Sequence, residues 1–140
     1  MDREAKLATI DALYRARCKG DVAALAQCFA QGATFEFAGD PSLIAGFPAS
    51  IPAEAVAAVS GLIALIEMRE PERLVSLVDG DRASVLTRVT VAFAGNPAFE
   101  TRLYDLFEFD GANKVKSFVQ YADTAKVVAE MALLAAANPD

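Results

Sequence analysis

The sequence predicts an α+β fold, with helices packed on one face of a curved antiparallel sheet. Two observations carry this. Apolar residues recur at helical spacing through most of the first seventy positions and at strand spacing from there to residue 123. Three turn signals, Asp79-Gly80-Asp81, Gly95-Asn96-Pro97 and Asp110-Gly111-Ala112-Asn113, then divide the second part into consecutive hairpins. At 140 residues the chain reads as one domain, residues 1–140, with no repeat, linker or low-complexity segment.

Leu7, Ile10, Tyr14 and Cys18 place an amphipathic helix over 3–19, which Gly20 ends. Asp21 is positioned as the N-cap of a short second helix carrying Val22, Leu25, Cys28 and Phe29, closed by Gly32. Residues 33–38 alternate, Phe35 and Phe37 on one side and Thr34 and Glu36 on the other, as a short strand. A loop rich in Gly and Pro runs from Gly39 to Pro48. Pro52 fits the first turn of a third helix, Val56, Val59, Leu62, Ile63 and Ile66 form its stripe, and Pro71 stops it. Strands follow near 72–79, 82–94, 99–110 and 114–123. Thr124 can cap a last helix in which Val127, Val128, Met131 and Leu134 share a face.

Composition narrows the chemistry. A net charge of −6 without any basic run argues against nucleic acid and anionic membrane as partners. No apolar stretch approaches a bilayer span, and the charged start Met1-Asp2-Arg3-Glu4 lacks the pattern of a secretory signal, so a cytoplasmic protein is expected. The chain has no histidine, which removes Ser-His and Cys-His pairs and the usual zinc sets. No phosphate-binding glycine loop or C-x-x-C occurs, and neither metal nor cofactor is expected. Cys18 and Cys28 read as reduced thiols. Asp, Glu, Tyr, Lys and Arg remain for any catalysis.

The best lead among them is Asp105. In the strand 101–109 it shares a face with Leu103, Phe107 and Phe109. A carboxylate among such side chains must be paired, hydrogen-bonded or protonated, because an isolated buried charge is too unfavourable to persist. Its pKa is therefore expected to be raised. A sheet curled around helices leaves a mouth lined by Phe and Val, the default location of a small-molecule site.

Several segments resemble a known group. Gly20-Asp21, Phe29-Ala30, Ala33-Thr34-Phe35-Glu36 and the Pro41 to Gly46 turn are similar to the opening of ketosteroid isomerases and SnoaL-like polyketide cyclases of the NTF2-like superfamily. Leu103 to Gly111, Lys114-Val115 and Tyr121-Ala122-Asp123 resemble that superfamily's paired last strands. The resemblance implies a cone: a curved antiparallel sheet wrapped around the N-terminal helices, with a pocket. It implies that Tyr14 and Asp105 act as donors in an oxyanion hole, Asp105 in the neutral form that ketosteroid isomerases are known to use. The family's general base falls on Phe37, which cannot take a proton; Asp40, at the start of the mouth loop, is the substitute candidate. The ligand-binding positions it implies are Phe37, Arg88, Leu103, Phe118, Gln120 and Asp123. A related epoxide hydrolase pattern, Asp-Arg-Asp, has conceivable members in Asp105, Arg88 and Asp123.

Arg88 shares a strand face with Leu86, Thr90 and Ala92, opposite Val85, Val89, Val91 and Phe93. Hydrophobicity alone sends the valines to the core. The resemblance instead puts the Arg88 face in the pocket, leaving the valines to cover a homodimer contact on the outer side of the sheet, and that reading is preferred. In that position Arg88 could pair with Asp105 and keep it ionised, which would oppose the neutral-acid role. The expected function is a SnoaL-like pocket protein that binds or acts on a small hydrophobic carbonyl compound without the family's base. The alternative is a non-catalytic ligand-binding or protein-interaction module of the same fold.

Overall fold

The computed structural model describes residues 3–38, 52–93 and 95–137, with side chains through residue 130. Helix α1 (Arg3–Lys19) buries Leu7, Ile10, Leu13, Tyr14 and Arg17, a stripe at spacings of three and four. Gly20, at φ 67°, ends it. Asp21 accepts from the Ala24 amide and caps α2 (Val22–Gln27). Strand β1 (Phe29–Ala38) begins four residues earlier than the alternation suggested. Gly32, at φ 76°, lies within it where the register slips between Phe29 and Thr34, so this glycine shapes a strand irregularity rather than closing a helix.

Pro52 stands outside the third helix. Ala53–Glu54 form a two-residue strand, β2, and the Glu54 carboxylate accepts from the Val56 and Ala57 amides to cap α3 (Ala55–Leu65). The helix also ends well before Pro71, at Leu65, and β3 (Ile66–Asp79) starts at once. Pro71 is accommodated inside β3 because β3 is a sheet edge and the chain bulges there: Glu70 has φ 52° and the register shifts between Arg69 and Glu72. Strands β4 (Arg82–Phe93), β5 (Phe99–Phe109) and β6 (Val115–Ala122) follow as consecutive antiparallel hairpins. The closing helix α4 (Thr124–Ala137) is capped by the Asp123 carboxylate, which accepts from the Lys126 amide, rather than by Thr124.

The strands make one six-stranded sheet in the order β2-β1-β6-β5-β4-β3, antiparallel except for the parallel pair of β1 and β6. Its inner face and α1 and α3 enclose the core, where Phe35, Phe107, Phe109 and Phe118 are almost fully buried. The Phe107 and Phe118 rings stack at 4.4 Å, and Phe35 meets Phe118 edge-on at 5.0 Å. The valines of β4 face inward: Val85, Val89 and Val91 belong to this core, while Arg88 lies on the outer face and pairs with Glu72. Burial of apolar area thus decides the orientation of β4, contrary to the dimer-contact reading of its valines. Among the described residues, no helix is long and apolar enough to cross a membrane.

Candidate functional site

Register brings the site together. Across the inner face of the sheet, Phe37 of β1 is level with Gln120 of β6, Gln120 with Asp105 of β5, and Asp105 with Val85 of β4. Cross-strand neighbours on one face lie about 5 Å apart, so Gln120 reaches Asp105 directly. Its amide Nε2 donates to Asp105 Oδ1 at 2.9 Å, and α1 lays Tyr14 over the same carboxylate, its hydroxyl donating to Oδ2.

Every member of the resulting hydrogen-bond chain points the same way. Arg17, one helical turn beyond Tyr14, donates from Nη1 to Gln120 Oε1 at 3.4 Å; Gln120 donates to Asp105. From the other side the Thr87 hydroxyl bonds Tyr14, and Tyr14 donates to Asp105. Asp105, 0 % exposed, is the acceptor on which both arms end. Burial pushes its carboxyl up to about 6; the bonds from Tyr14 and Gln120 and the charge of Arg17 pull in the opposite direction. Burial, and then the Asp105 charge, hold the Tyr14 phenol well above its ordinary range. The cation acting on Asp105 is therefore Arg17, not Arg88, whose place on the outer face beside Glu72 takes it out of the site.

Next to this chain is an apolar cavity of about 30 Å³. Phe37, Leu62, Met68, Phe93 and Leu103 form much of its wall, and Arg17, Gln120 and Thr101 supply its polar groups. Tyr14 and Asp105 are not among the lining residues; they lie behind Gln120, bonded to each other. Larger grooves exist, such as one of about 430 Å³ beside α1 and α2, but its polar walls include the exposed Arg15, Lys19, Gln27 and Lys114 and it has no buried charge.

Of the ligand positions expected from the sequence, Phe37, Leu103 and Gln120 line the cavity. Phe118 does not, because it is packed between Phe35 and Phe107 in the core. Asp123 is exposed and engaged in capping α4, so an Asp105-Arg88-Asp123 set is not assembled. Asp40 and the Gly39–Pro48 loop lie outside the described residues. Arg17, Thr87 and Thr101 were not anticipated. Arg17 could have been found from its spacing, since it continues the stripe of Ile10 and Tyr14; the two threonines sit on inward strand positions that alternation alone assigns to the core.

No protein-family model matches the chain, and no curated protein matches it by sequence. Solved structures do match. An NTF2-like protein of unknown function from Burkholderia pseudomallei superposes with a TM-score of 0.73 at 18 % identity, over 88 % of this chain and 94 % of that one. IdmH of Streptomyces antibioticus, whose proposed activity is that of a polyketide cyclase, gives 0.69 at 18 % identity over 91 % and 98 %. TerC, co-crystallised with polyporic acid, gives 0.72 at 13 % identity over 87 % and 94 %. Together with the sheet order and the helices it encloses, these similarities show that the chain has the NTF2-like cone fold.

Proposed function

We propose that this protein holds a small, mainly apolar, oxygen-bearing molecule such as a carbonyl compound in the cavity beside Gln120, and does not carry out the isomerisation of ketosteroids. The observation that carries this reading is the composition of the cavity wall: apolar surface on most sides and one convergent polar end backed by the Tyr14–Asp105 pair. Phe37 occupies the wall where a carboxylate base is needed to start proton abstraction, and among the described residues no carboxylate lines the cavity. Structures of the same fold named for a cyclase and for a complex with polyporic acid support a small-molecule site.

Tyr14 and Asp105 are the donors behind an oxyanion site, in a pH-dependent way. With Asp105 ionised, the Tyr14 proton is committed to it. Below about pH 6 Asp105 carries its own proton, and the pair can then donate to a ligand oxygen, directly or after a shift of Gln120. The fold's outer sheet face supports a homodimer. Val75, Leu86, Tyr104 and Tyr121 are level in register, as are Leu77, Ser84, Leu106 and Val119; all but Leu86, Ser84 and Val119 are exposed.

Calorimetric titration with phenol tests the pocket. Leu103→Trp, which fills the cavity, is expected to weaken phenol binding at least tenfold, and the unmodified protein is expected to leave a β,γ-unsaturated ketosteroid unconverted. Equal phenol affinity in both proteins overturns the site assignment, and brisk isomerisation overturns the absence of a base.

A further inference from the structure

Arg17 is 5 % exposed, yet among the described residues it makes no ion pair. Its Nε has no hydrogen-bond partner, and the bond from its Nη1 to Gln120 Oε1 is long at 3.4 Å. The guanidinium carbon lies 5.9 Å from the Tyr14 ring centroid, a favourable but partial compensation for lost water. A buried cation in this state is unfavourable unless something of opposite charge reaches it. The Asp105 charge acts on it across the intervening Gln120 amide, but no carboxylate touches the guanidinium among the described residues. On the same cavity wall the Thr101 hydroxyl, on a residue also 5 % exposed, has no partner either. Two residues with unmatched buried donors, from different elements, α1 and β5, thus line one small apolar cavity.

Resting on the pocket reading above, we propose that the molecule bound there is an organic acid: an apolar body against Phe37, Met68 and Leu103, with its carboxylate held by Arg17 and Thr101. A guanidinium offers donors in a planar fork that matches a carboxylate, which a neutral carbonyl cannot exploit equally. The cavity is small, but Arg17, Ile66 and Met68 also wall an open groove of about 270 Å³. The proposal requires the Met68 side chain, which stands between the two spaces and is of a flexible type, to turn aside and admit a ring with the acid group innermost.

The test compares benzoate with benzamide, which has nearly the same shape and no charge, by calorimetry on the full chain at pH 7.5. Benzoate is expected to bind the unmodified protein at least tenfold more tightly. Arg17→Met should bring the ratio of benzoate to benzamide affinity down to about one, Arg17→Lys should retain part of the preference, and Thr101→Val should weaken benzoate about threefold. Equal affinities for the two probes in the unmodified protein overturn the acid proposal and leave the pocket standing, and this comparison needs no variant to fold. Binding of neither probe removes the pocket and the acid proposal together. A folded Arg17→Met protein that still prefers benzoate places the anion elsewhere and also overturns it.

Discussion

Asp105 was legible as an exceptional residue because strand alternation leaves it as the one acid on an apolar face, and Tyr14 was legible from its helical spacing. Arg17 continues the same helical stripe, but its role was not legible, since charged side chains on a helix are ordinarily solvated and spacing does not reveal that a Gln on a distant strand will receive one. The arrangement has a pH signature. The native Asp105 carboxyl titrates near 6, above the ordinary aspartate value, so the folded state binds a proton more readily than the unfolded chain. Stability from this group is therefore greatest below about pH 4 and falls as pH rises to about 6, by about 3 kcal/mol, with no further change above. Asn at 105 can be satisfied: its Oδ1 accepts from Gln120 and its amide donates to Tyr14, which then turns its hydrogen to Thr87. The stability of the unmodified protein minus that of Asp105→Asn, measured by urea denaturation from pH 4 to 8, is expected to show this decline. A flat or rising difference means that Asp105 is stabilised as a carboxylate.

The elements followed the sequence where capping and periodicity agreed, as in α1, in α2 with its Asp21 cap, and in the Gly80 and Asp110–Asn113 turns. They departed from it around α3. Proline reads as punctuation at both ends of that helix, but Glu54 supplies the cap and an edge-strand bulge absorbs Pro71, a tolerance that depends on β3 having no neighbour on one side. The segment Glu67-Met68-Arg69-Glu70 also has little intrinsic strand preference, and its pairing with β4 overrides that. Because the Glu54 carboxylate satisfies two free amides of α3, Glu54→Ala is expected to destabilise the protein by about 1 kcal/mol, read from the denaturation midpoint. No change would show that solvent serves those amides equally well. Since α3 contributes Leu62 to the cavity wall, fraying there should also loosen the site.

For the molecule as a whole, the period switch and the hairpin signals were sufficient to indicate a helix-filled curved sheet, whereas the parallel pairing of β1 with β6 was not locally encoded: nothing near residues 29–38 specifies a partner some eighty positions away. The same long-range register aligns Phe37, Gln120 and Asp105, which is why the site was only partly readable. The outer face carries its own expectation. If the Val75, Leu77, Tyr104, Leu106 and Tyr121 patch joins two copies, Tyr104→Glu with Leu106→Glu should convert a dimer to a monomer in light scattering at high micromolar concentration, without loss of helical circular dichroism. A monomeric unmodified protein removes the dimer. The most direct test of the central claim, that the ligand site is the cavity between Phe37, Leu103, Gln120 and Arg17, is an amide NMR titration with benzoate. Saturable shifts centred on Arg17, Phe37, Thr101, Leu103 and Gln120 are predicted, and shifts centred on Ala12, Lys19 and Gln27 in the groove beside α1 and α2, or no saturable shift at all, would contradict it.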